Sequence, residues 1–150
     1  MRVATAPLVQ AIVLACLAWF AARSLPQFDF ALPLLVPVSS LVMAVGVVIL
    51  FLAVRAFVVR GTTIDPLHPE RAEKLVTTGL FRLSRNPMYL GMLLLLSGVA
   101  LGLGNWISLF APVLFIVSIN VLQIKPEEIA LQRKFGEEYE NYCRRTRRWI

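Results

Sequence analysis

Apolar residues run almost unbroken through four stretches of the chain, about 7–25, 34–57, 87–104 and 106–124, with polar segments between and after them. Runs of this length predict membrane-crossing helices. The first is the shortest. Pro7 to Ala22, flanked by Arg2 and Arg23, spans about 24 Å as helix against a hydrocarbon core of roughly 30 Å. Arg23 can snorkel and Leu25 can extend the span. A cleaved leader is the competing reading; bulky Trp19-Phe20 near the end of the run and the lack of a secreted domain after it count against that.

The second run carries Pro37 in its first turns, where proline is tolerated best. The polar connection 58–86 opens with the turn-rich Arg60–Pro69, holding the lone His68 as a loop residue, and ends in mixed basic and apolar residues suited to a membrane interface. Asn86-Pro87 reads as a helix start, with Asn86 as N-cap. Within the third run, Gly98 and Gly102 form a GxxxG spacing that predicts close helix packing. Gly104-Asn105 makes a tight turn, and Trp106 fits an interfacial anchor. Residues 126–145 then read as one amphipathic helix, with Pro126 in its first turn. Glu127, Leu131, Phe135 and Tyr139 recur every fourth residue on one face, and Tyr142 follows. The expected fold is all-α: a single domain, 1–150, of about four transmembrane helices with a C-terminal cytoplasmic amphipathic helix.

Composition agrees. The chain is 58% hydrophobic and 16% charged, too apolar for a soluble domain of 150 residues. Its net charge of +6 then points to cytoplasmic loops and anionic lipid, not to nucleic acid. Four crossings put fourteen of the fifteen Lys and Arg residues on one face, leaving only Arg23 on the other. The positive-inside rule makes that face cytoplasmic, and with it both termini, the 58–86 connection and the tail. Cys16 and Cys143 are placed too differently to pair, and no Cys/His cluster has the spacing of a metal site.

The last hairpin brings two polar segments to that face. Arg85-Asn86-Pro87-Met88-Tyr89 offers a helix N-terminus beside an arginine and a ring, which suits a carboxylate or phosphate. Glu127-Glu128 can hold an ammonium group or ribose hydroxyls. The rings Phe81, Tyr89, Phe135, Tyr139 and Tyr142 can stack on a base or attract a cation. Each also has a plainer reading, as interfacial anchor or helix-end charge. The Arg144–Arg148 tail reads as a contact for anionic lipid headgroups.

Together these residues resemble the isoprenylcysteine carboxyl methyltransferase and phospholipid methyltransferase group of integral membrane enzymes. The resemblance rests on Leu75-Val76-Thr77-Thr78-Gly79-Leu80-Phe81, Arg85 through Gly91, Glu127 through Leu131, Phe135 through Tyr139, and Tyr142, about the last ninety residues. It implies S-adenosylmethionine as cofactor, S-adenosylhomocysteine as product, and a cytoplasmic site. By residue-to-residue match the cofactor contacts are Leu75, Val76, Phe81, Arg85, Asn86, Pro87, Met88, Tyr89 and Glu127. Asn86 stands where the isoprenylcysteine enzymes have His. Gln123 stands where they have a substrate-contacting Arg, so the acceptor is an open question among amines, hydroxyls and acids. A lipophilic acceptor would enter from the bilayer, and Glu128 or a tyrosine such as Tyr139 would assist an amine acceptor. Two other readings compete: an NADPH-dependent membrane reductase, whose known examples are much longer, and a non-enzymatic membrane protein that packs on a partner and binds anionic lipid.

Overall fold

The computed structural model describes residues 6–60 and 74–150. Residues 61–73, with His68 and most of the turn-rich stretch, lie outside the described residues. The elements are helical: α1 (Pro7–Ser24), α2 (Leu35–Arg60), α3 (Pro87–Gly102), α4 (Phe110–Ile119), α5 (Lys125–Phe135) and α6 (Glu137–Arg145). Three helical stretches are long and apolar enough to cross a membrane: Pro7–Ser24, Leu35–Val59 and Phe110–Phe135. The apolar α3 is shorter, and its 16 residues rise about 24 Å. Large side chains on the outer faces, such as Leu41, Phe51 and Phe110, are about two-thirds exposed. Such faces call for lipid rather than water.

The helices alternate in direction. At one end, the fully buried Asn105 donates through Nδ2 to the Leu25 carbonyl at 3.0 Å and to Asp29 Oδ1 at 2.7 Å, and Asn105 Oδ1 accepts from the Ile107 N–H. One side chain thus ties the α1 exit to the α3–α4 turn and satisfies backbone that lipid cannot. At the other end, Val76 and Phe81 pack on Ala53 and Phe57 of α2, and Tyr89 of α3 bonds Glu127 of α5. Pro7, Phe57, Pro87 and Glu127 therefore share one end of the bundle.

Three features of the chain's path differ from the reading of the sequence. The α3–α4 turn is longer, so the last crossing begins at Phe110 instead of 106. Asn105 and Ser108, both fully buried, are what hold that turn. Pro126 does not start a helix. It sits inside a continuous rod from α4 to α5, directly after a π turn at Asn120–Ile124 in which the Lys125 N–H bonds the Asn120 carbonyl. A proline inside a helix collides with the carbonyl four residues back, and the widened turn before it gives that carbonyl room. Finally, Gly136 at φ +51° splits the expected 126–145 helix into α5 and α6. The four-residue periodicity therefore stops at Phe135, and Phe135 does not follow Tyr139 into the site.

Close packing of α2 on α3 uses glycines in a different combination from the expected pair. A Cβ on Gly46 would meet Leu95 N at 2.9 Å and Gly91 O at 3.0 Å, and one on Gly98 would strike Met43 Cγ and approach Ser39 O to 2.9 Å. Gly102 is looser, with Ser39 Oγ at 3.4 Å as its nearest contact. Gly46, Gly91 and Gly98 thus let the two backbones approach.

Candidate functional site

At the Pro87 end of the bundle lies a cavity of about 240 Å³. Leu75, Val76, Phe81, Arg85, Asn86, Pro87, Met88, Tyr89, Glu127, Glu128 and Tyr139 all line it. These are every site residue expected from the sequence except Gln123. The chain brings them together from three places: the stretch from Leu75 to Phe81 that enters the short helical turn Gly79–Arg82, the stretch from Arg85 into the start of α3, and the α5–α6 pair.

Tyr89 and Glu127 form the first polar junction. The Tyr89 hydroxyl donates to Glu127 Oε1 at 2.5 Å, and Gln123 Nε2 donates to the same oxygen at 2.8 Å. Gln123 is buried behind Glu127, off the cavity wall where an acceptor contact was expected. The π turn carries Gln123 one turn before Glu127 and aims it along the rod.

Glu128 forms the second junction. Arg85 Nη2 donates to its Oε1 at 2.8 Å, while Arg148 donates to Oε1 through Nε at 3.0 Å and to Oε2 through Nη2 at 2.6 Å. A carboxylate gripped by two guanidiniums is a poor proton acceptor, and Glu128, expected from the sequence to assist an amine acceptor, is held in this way. Arg85 Nη1 also donates to the carbonyls of Thr146 at 3.2 Å and Cys143 at 3.4 Å.

The segment after α6 runs beside residues 84–86. The Arg85 N–H donates to the Arg147 carbonyl at 2.9 Å, and Asn86 Nδ2 donates to the Arg148 carbonyl at 2.9 Å. Asn86 holds the N-cap position as expected, but its side chain makes no cap bond and reaches this segment instead. In the expected lipid-contact tail, Arg148 is therefore committed to Glu128, while Arg144, Arg145 and Arg147 are exposed.

Four of the five rings cited from the sequence border the cavity; Phe135 does not. Phe81 meets Phe57 edge-on with centroids 5.2 Å apart, and Tyr139 and Tyr142 lie 6.3 Å apart. The Tyr142 hydroxyl donates to the Phe81 carbonyl at 2.7 Å. Burial raises the Tyr139 and Tyr142 phenols well above their ordinary values, so both stay neutral. Apart from Lys74, the remaining wall is apolar, with Phe57, Met92, Pro7 and Leu8 among its residues. None of these carries a local sign of function in the sequence; only packing of α1 and α2 against α3 puts them there.

The family model for phospholipid methyltransferases matches residues 35–138, which cover α2 through the start of α6. An uncharacterized protein of Haemophilus influenzae is 44% identical over 63 residues, 42% of this chain and the whole of that protein. Proteins of indica and japonica rice, each described as a probable protein-S-isoprenylcysteine O-methyltransferase, are 34% identical over 109 residues, 73% of this chain. The chain spans 57% of the length of each rice protein. No solved structure matches it. The match over most of the chain takes in the Gly79–Arg82 turn, the start of α3 and α5, all of which border the cavity, and the chain belongs to the phospholipid methyltransferase family.

Proposed function

We propose that the protein is an S-adenosylmethionine-dependent methyltransferase acting on a lipophilic small molecule or lipid at the cytoplasmic face of the membrane, releasing S-adenosylhomocysteine. The observation that carries this reading is the convergence of the Tyr89–Glu127 and Arg85–Glu128 junctions on one cavity with an apolar wall.

The donor set suits the cofactor. Arg85 offers a cation to a carboxylate, Glu127 offers an acceptor to an ammonium or to ribose hydroxyls, and Phe81, Tyr139 and Tyr142 offer faces to a base or a positive sulfur. When bound, S-adenosylmethionine supplies an electrophilic methyl group for in-line displacement. The chain's own work is to hold donor and acceptor in line and to exclude water. Tyr89 and Gln123 fix the Glu127 carboxylate, so the site is organised before ligand arrives. With Glu128 paired and Tyr139 neutral, neither of these two serves as a strong base. An acceptor that is already a nucleophile, such as a carboxylate or a neutral amine, fits this best. The rice relatives, described as probable protein-S-isoprenylcysteine O-methyltransferases, favour a carboxylate. Phe57, Met88 and Met92 give an apolar tail a place to lie.

The test is calorimetric titration of the detergent-solubilised chain with S-adenosylmethionine. Saturable binding that Glu127→Ala weakens is expected; folded protein with no saturable binding would refute the proposal. The alternative of a non-enzymatic lipid-binding protein predicts loss of lipid binding on changing Arg144, Arg145 and Arg147, with no cofactor binding at all.

A further inference from the structure

We infer that Arg148 is a positioning residue of the cavity, supplying the net positive charge with which Arg85 receives a ligand carboxylate; this rests on the methyltransferase reading above. Arg85 and Lys74 both reach the cavity wall, but the Arg85 guanidinium is paired to Glu128, and a lone Arg–Glu pair is electrically neutral. Arg148 changes that balance. It takes Glu128 in a two-pronged grip, with contacts of 3.0 and 2.6 Å, and brings the cluster Arg85–Glu128–Arg148 to +1. It is not a loose surface charge. Its own carbonyl accepts from Asn86 Nδ2, and the adjacent Arg147 carbonyl accepts from the Arg85 N–H. The backbone that delivers Arg148 is therefore tied to the two residues that open α3. The geometry also orients Arg85. Glu128 holds Nη2, and the Thr146 and Cys143 carbonyls hold Nη1.

Charge balance separates this role from simple tail anchoring. Arg148→Met leaves Glu128 to Arg85 alone and makes the cluster neutral. The double variant Glu128→Gln/Arg148→Met returns it to +1, with the glutamine amide still able to bond Arg85. The experiment titrates the full chain with S-adenosylmethionine and, separately, with its decarboxylated analogue, which lacks only the carboxylate. Parent binding of S-adenosylmethionine is established first. Its absence defeats the methyltransferase reading, whereas the variants judge Arg148. Arg148→Met should weaken S-adenosylmethionine by about tenfold, the order expected for one near-surface unit charge. It should not weaken the decarboxylated analogue, whose remaining charges are both positive, and the double variant should recover most of the loss. Equal weakening of both ligands, parent-like affinity in Arg148→Met, or a double variant no better than Arg148→Met would each overturn the inference. If Arg148→Met does not fold, Arg148→Lys takes its place. It keeps the charge and loses the two-pronged grip, so it should bind both ligands close to parent levels, and a tenfold loss of S-adenosylmethionine there would equally count against the charge.

Discussion

Removing the hydroxyl of Tyr89 tests the first polar junction directly. In Tyr89→Phe the ring keeps its place in the α1–α3–α4 core, where Tyr89 is only 6% exposed, so packing should hold. What is lost includes the short bond to Glu127 Oε1. A hydrogen bond to a charged group is worth about 1.5–3 kcal/mol. Gln123 still donates to the same oxygen, so the carboxylate is not stranded and the lower figure applies. About 1.5 kcal/mol corresponds to roughly tenfold weaker S-adenosylmethionine binding. Gln123→Leu should cost a similar amount for the same reason. The double variant should lose more than the sum, because Glu127 would then face the cavity with neither side-chain donor on Oε1. Calorimetry on the parent, both single variants and the double gives the coupling. Single variants within about twofold of the parent, or strictly additive losses, would refute the idea that these donors jointly position Glu127.

Other expectations concern stability and the separation of the two ends. Gly98→Ala should destabilise the fold by about 1–3 kcal/mol through overpacking, since Ser39 backbone blocks the new methyl; Gly102→Ala, whose methyl would only touch Ser39 Oγ at 3.4 Å, should be nearly neutral, and thermal unfolding in detergent compares the two. Tyr142→Phe strips the donor from the Phe81 carbonyl and should cost about 1–2 kcal/mol by the same measurement. Asn105→Ala should cost about 2–3 kcal/mol in unfolding yet leave S-adenosylmethionine affinity unchanged, because Asn105 ties the opposite end of the bundle.

The helices were largely legible because long apolar runs have few alternatives to spanning lipid. α1 and α2 begin and end within a few residues of the expected limits. The polar segments flanking the last hairpin were legible too, since an antiparallel pair must return them to one end. Two kinds of feature were not. Pro126 with two acids behind it has the same local pattern at a fresh helix start as inside a rod that has widened by one turn; only the Lys125–Asn120 bond distinguishes them. Gly136 interrupts a periodicity that reads smoothly through it, because a glycine is compatible with either outcome until φ is known. Arg148 was hidden for another reason. A run of arginines looks uniform along the chain, and only the tertiary path of residues 146–148 beside 84–86 selects one of them for Glu128.

The π turn at Asn120–Ile124 makes the last rod a two-part shaft with an angular offset built into it. Its lipid-facing part and its acid-bearing part share an axis but not a common rotational origin. Excising one residue within the offset would shorten the shaft by only about 1.5 Å, yet swing both carboxylates by about 100°, away from the hydroxyl and guanidinium that meet them. Substitutions along the shaft are small perturbations by comparison: here the number of residues, more than their identity, sets where the acids point.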